Sequence, residues 1–93
     1  MKLGVLVSLW HNIFKMKVKV LFFGILNEKT GISTNMLEDV RDLNELIERL
    51  QLQFPSANWQ TKYLIAVNHE VVRGNITLND GDEIALMPPF AGG

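Results

Sequence analysis

Ninety-three residues make one domain, since a domain takes roughly 100–200 residues, and a chain this small has little room for an enclosed catalytic cavity. Nine Lys and Arg against ten Asp and Glu give a net charge of −1, without the basic excess that binding nucleic-acid phosphates demands. Cysteine is absent, which removes disulfides, iron–sulfur clusters, thiolate zinc sites and thiol nucleophiles together and points to the cytoplasm, and no apolar run approaches the ~18 residues of a membrane span.

Residues 1–15 differ in character from the rest of the chain. Lys2 precedes an apolar stretch, Leu3–Trp10, that is short for a secretory signal and has no small-x-small cleavage site after it. The expectation is an N-terminal extension of no chemical role, with Met16 as an alternative start. From Lys17 the pattern alternates. Val18, Val20 and Phe22 share one parity and Lys17, Lys19, Leu21 and Phe23 the other, which predicts a strand over 17–23 with one buried face. Gly24–Gly31 holds Asn27, Glu28, Lys29 and two glycines and reads as a surface loop, followed by a second strand over 32–38. Asp42 with Glu45 three residues on marks a helix N-terminus. Leu43, Leu46, Ile47 and Leu50 then recur at helical spacing, predicting an amphipathic helix over 43–53 that Pro55 ends.

Tyr63–Val67 and Glu70–Val72 are strand-like runs separated by Asn68-His69, a spacing that suits a tight hairpin. Asn79-Asp80-Gly81-Asp82 is a turn signature that launches a last strand, Glu83–Met87. Pro88-Pro89 cannot donate ladder hydrogen bonds, so the chain must leave the sheet there. The order β-β-α-β-β-β, one helix across one face of a mixed sheet, is that of a ubiquitin-like β-grasp, an α+β fold, over residues 16–93 with a tail at 88–93.

Two terminal glycines after a di-proline make a slender tail. Without Cβ atoms Gly92 and Gly93 can thread a narrow channel and let another protein's backbone approach closely, while proline stiffens the exit. The parity of the strands also leaves Phe23 and Met87 on the sheet face away from the helix, with Val71 or Val72 beside them, and large apolar residues there mark an interaction site. Residues Met1–Lys15, apolar themselves, are the alternative cover for that face. His11 and His69 are far apart without a second ligand at metal spacing, so no metal site is expected. Asp80, Asp82 and Glu83 read first as turn chemistry. No phosphate loop, nucleophilic triad or paired catalytic carboxylates can be assembled.

The segments Lys19-Val20-Leu21-Phe22-Phe23, Ala66-Val67-Asn68, Asp80-Gly81-Asp82-Glu83-Ile84-Ala85 and Pro88-Pro89-x-x-Gly92-Gly93 together resemble the molybdopterin synthase small-subunit family, ubiquitin-like sulfur carriers. The resemblance covers 16–93 and departs in the segment Gly24–Gly31, which lacks that family's arginine-rich run. It implies a non-catalytic subunit. The terminus of Gly93 would be adenylated with ATP and Mg²⁺ by an activating enzyme, then thiocarboxylated by a sulfur donor. The large catalytic subunit would take the sulfur into a pterin precursor of molybdenum cofactor, and no cofactor would stay bound to the carrier itself. Gly92 would keep the tail slender. Phe23, Val71 and Met87 would form the docking patch, with Pro88, Pro89, Phe90 and Ala91 leading the tail into the partner. Carriers for thiamine synthesis or tRNA thiolation, a ubiquitin-like protein modifier, and a plain interaction module remain the alternative readings.

Overall fold

The computed structural model describes residues 16–57, 59 and 62–88; the expectations for the extension 1–15 and for Pro89, Phe90, Ala91, Gly92 and Gly93 lie outside them. Its elements are β1 (Lys17–Phe22), α1 (Ile25–Thr30), β2 (Thr34–Glu38), α2 (Leu43–Gln53), β3 (Leu64–Val67), β4 (Glu70–Val72) and β5 (Glu83–Met87). The strands form a mixed sheet in the order β2-β1-β5-β3-β4, with β1 parallel to β5 and the other pairs antiparallel. This is the expected β-grasp with one long helix, and the last strand has the predicted bounds.

Alternation in the strands builds the core. Val18, Val20 and Phe22 on β1 and Ile84 and Leu86 on β5 are buried, and Leu43, Leu46 and Leu50 of α2 close over them. The Phe22 ring meets Phe54 edge-on at 5.9 Å, just past the end of α2. With β1 and β5 adjacent and parallel at the centre of the sheet, the chain between them has to cross over the core face, and α2 lies in that crossover.

Three orphan donors at the N-terminus of α2 find acceptors outside the helical ladder. The Leu43 N–H donates to Ile76 O at 3.1 Å, the Asn44 N–H to Asn75 Oδ1 at 2.9 Å, and the Glu45 N–H to Asp42 Oδ1 at 2.9 Å. Leu46 then begins the helical ladder on Asp42 O. Asn75 therefore ties the loop before β5 to the start of the helix. The Glu45 N–H, followed by the Asn75 side chain, holds the Asp42 carboxyl below its ordinary value of 3.8. The folded state thus favours the carboxylate, so this stabilisation is complete above the ordinary value and is lost as pH falls through the lower folded value. Asp42→Ala should melt earlier than wild type at neutral pH, and the gap between the two melting temperatures should close as the medium is acidified below pH 3.8. Thermal melts of both proteins across that range check it.

One expectation is corrected. Gly24–Gly31 is a short helix, α1, bracketed by two glycines at positive φ, 62° at Gly24 and 77° at Gly31. Leu26 is buried in the core and anchors it. The Asn27 side chain, which suggested a loop, closes the turn together with Thr30 instead: Thr30 Oγ1 donates to Leu26 O at 2.8 Å and Asn27 Nδ2 to Ile32 O at 3.0 Å. Six residues are less than two turns, too few for helical periodicity to register in a sequence. The neighbouring strand is also shorter than expected, beginning at Thr34 rather than 32, because Ile32 is taken up by this turn.

Candidate functional site: the bare sheet face and the tail exit

The sheet face away from α2 carries the side chains of the second parity. Register places Leu21 opposite Ala85, Ala85 opposite Ala66, and Ala66 opposite Val71, so one row crosses four strands. The two alanines in the middle of the row are small and the residues around them are large. A cleft of about 290 Å³ results, with Ala66 and Ala85 at its floor and Phe23, Val71 and Met87 among its walls. Phe23 is 47% exposed and Val71 54% exposed, the reverse of Phe22, whose exposure is 2%. The three residues expected to share a patch do line one cleft; Val72, the other candidate, packs toward the core instead. The strand patterns put Ala85 on this face, but nothing in an alanine's chemistry marks it as the floor of a cleft.

The C-terminal end of β5 lies at one end of this cleft. The Phe23 N–H donates to Leu86 O at 3.0 Å, so the parallel pairing of β1 and β5 persists to the point where the chain leaves. Gly24 then passes close under Pro88: a Cβ on Gly24 would stand 2.8 Å from Pro88 Cγ. A residue with φ of 62° and no side chain is what that approach requires. The loop assignment hid this contact, since the partner of Gly24 is distant in sequence.

At the opposite end of the face the acidic residues are occupied in turn bonds. The Lys17 N–H donates to Asp80 Oδ1 at 2.8 Å, and Asp82 accepts from Asn79 N at 2.8 Å and Asn68 Nδ2 at 2.9 Å. Asn68 and His69 both sit at positive φ, 51° and 73°, the geometry of a two-residue turn whose twist suits a hairpin. Asn68 Oδ1 accepts from Glu83 N at 2.9 Å, lashing the hairpin to the start of β5, and His69 lies 3.9 Å from the Glu83 carboxylate. Three roomier clefts lie elsewhere, one beside Met16 and Leu78, one between α2 and Tyr63 and one on α2 at Glu48, Gln51 and Leu52. Burial pushes the Tyr63 phenol above its ordinary value, so it stays protonated at neutral pH and offers no base. Among the described residues no three His, Asp or Glu side chains are grouped to hold a metal ion, and no helix is long and apolar enough to cross a membrane.

A β-grasp whose last strand ends in a proline beside an open apolar cleft can be compared with known proteins, and the model of the ThiS family matches residues 20–93. The chain belongs to the ThiS family. Its relatives include the molybdopterin synthase sulfur carrier subunits of Escherichia coli and Mycobacterium tuberculosis. The first is 35% identical over 82 residues, covering 82% of this ThiS-family chain and 99% of the relative. The second is 32% identical over 81 residues, covering 83% and 98%. Among solved structures, the complex of subunits 1 and 2 of molybdopterin-converting factor from Helicobacter pylori contains a chain 34% identical, with a TM-score of 0.66 over 84% of this chain and 100% of that one. The small archaeal modifier protein 1 of Haloferax volcanii, 20% identical with a TM-score of 0.69 over 81% and 99%, shares the fold.

Proposed function

We propose that this chain is the sulfur carrier of molybdopterin synthesis, acting through a thiocarboxylate on Gly93. The observation that carries the reading is the identity of about one third to sulfur carrier subunits along nearly their whole length, in a chain whose own C-terminal motif, Pro88-Pro89-x-x-Gly92-Gly93, follows a strand that ends beside an apolar cleft. A carboxylate is a poor electrophile. An adenylating partner therefore joins the Gly93 carboxylate to AMP from ATP with Mg²⁺, releasing pyrophosphate. A donor of sulfide-level sulfur then attacks the acyl carbon, the acyl–phosphate bond breaks as AMP leaves, and the thiocarboxylate remains.

The carrier presents this sulfur to the large catalytic subunit, which transfers it to a pterin precursor and returns Gly93 as a carboxylate. Phe23, Val71 and Met87 dock the partner, Pro88, Pro89, Phe90 and Ala91 lead the tail into it, and Gly92 keeps the tail slender. The carrier itself is not a catalyst and holds no cofactor; the groups that move protons belong to the partner. We place it in the cytoplasm, since a chain without cysteine gains nothing from an oxidising compartment.

The test is the intact mass of the untagged protein after incubation with ATP, the activating enzyme and a sulfur donor, beside a chain lacking Gly93. A gain equal to one oxygen replaced by sulfur, absent from the control, is the expected result. No gain with the cognate enzyme would sink the reading. Carriers for thiamine or tRNA thiolation would pass the same test, and stable co-purification with the large synthase subunit separates them from the reading favoured here.

A further inference from the structure

The tail-exit end of the bare face carries two cations that no acidic side chain among the described residues engages. Leu64 stands opposite Met87 and Ile65 opposite Val72, so Arg73, one step beyond the β3–β4 ladder, comes level with Leu64 and about 10 Å from Met87, two strand spacings away. Lys62 precedes Leu64 by two residues, on the same parity, at the level where the chain leaves β5. Both are exposed, and neither has an ion-pair partner among the described residues. Continued past the ends of β3 and β4, the register and the alternation of side chains make them diagonal neighbours on one face, where two like charges repel.

The cations at the other end of the face are placed differently. Lys17 pairs with Glu38 at 3.9 Å, and Lys19 lies opposite Glu83 in the register. The acidic residues there are held in turn hydrogen bonds. Lys62 and Arg73 therefore form the one cationic pair on the described part of this face that has no opposite charge in register with it, and they adjoin the walls of the apolar cleft at Met87.

We propose that Lys62 and Arg73 dock against an acidic rim on the partner protein, at the mouth of the channel that receives the tail. The inference rests on the carrier reading, because it needs a partner that swallows the C-terminus. Length decides between the rim and the nucleotide as the anion recognised. Five residues, 89–93, span at most about 17 Å, and a tail extended into a channel carries the reacting carboxylate that far from the exit, beyond the reach of either side chain to the phosphates of an adenylate. The partner groups that face Lys62 and Arg73 are then carboxylates of the protein surface. Such pairs at the edge of an apolar contact act chiefly on the rate of encounter and on choice of partner.

The experiment compares the full chain with Lys62→Glu/Arg73→Glu and with Phe23→Asp, measuring association and dissociation rates with the large synthase subunit at low and high ionic strength. The double variant should associate about tenfold or more slowly at low salt, with a much smaller change in dissociation, and the difference should shrink at about 1 M salt, where screening extends only ~3 Å. Its melting temperature should stay close to that of wild type, because both side chains are exposed and one like-charge pair only replaces another. Wild-type association by the double variant, while Phe23→Asp no longer binds, would overturn the acidic rim and leave the carrier reading standing. Wild-type association by both variants would overturn the docking face and the rim with it.

Discussion

A single alanine appended after Gly93 should abolish thiocarboxylation while leaving the melting temperature unchanged. Under the proposed carrier mechanism the acyl-adenylate forms on a carboxyl group that has to reach the partner's active site, and an added alanine moves that group and gives it a Cβ where glycine has none. The folded domain has no stake in the change, because its core is built by β1, β5, α2 and the residues that pack on them. Loss should be by at least about a hundredfold in rate, since the geometry of attack is worth several powers of ten when reacting atoms must be held in near contact. Intact mass spectrometry of the treated protein, with a thermal melt alongside, checks both halves. A thioacid that forms on the extended chain at the wild-type rate would show that Gly93 is not the reacting terminus. An interaction module with a passive tail would tolerate the addition.

Two adjacent phenylalanines should separate stability from binding. Phe22 is 2% exposed, packed in the core and against the Phe54 ring. Phe22→Ala should cost about 3–5 kcal/mol. Against a total of about 5–15 kcal/mol for a domain, that is a large share. The melting temperature should fall by roughly 15–30 °C. Phe23 lies on the other sheet face, about half exposed at the wall of the cleft. Phe23→Asp should change stability by no more than about 1 kcal/mol. Its affinity for the large subunit should drop by at least about thirtyfold, the loss of a central aromatic anchor of about 2 kcal/mol or more. Thermal melts and titration calorimetry on both variants give the two numbers. Equal losses of stability in the two variants would mean that the bare face belongs to the core.

The contrast between Phe22 and Phe23 is legible in the order of residues, because side chains of a strand alternate and the parity of Val18 and Val20 assigns Phe22 inward. The end of β5 is legible for an equally local reason: Pro88-Pro89 removes the donors a ladder needs. The Asp42 cap and the extent of α2 follow from short-range chemistry in the same way. Sequence likeness then joins the Gly-Gly terminus to a family.

What the chain's order could not reveal depends on contacts between distant residues. Leu26 looked like part of a loop because a six-residue helix has no periodicity to read, and only its burial against the core gives α1 a reason to form. Gly24 gained its meaning from Pro88, more than sixty positions away. The floor of the cleft exists because register sets Ala66 beside Ala85, and Lys62 and Arg73 come near the tail exit because Leu64 pairs with Met87. By itself the sequence determined which residues turn inward, where the last strand stops and that a slender terminus comes after it, since these depend on local geometry and hydrogen-bonding capacity. The tertiary structure alone decided what stands beside that exit, because strand register is chosen by the packing of the whole sheet on its helix.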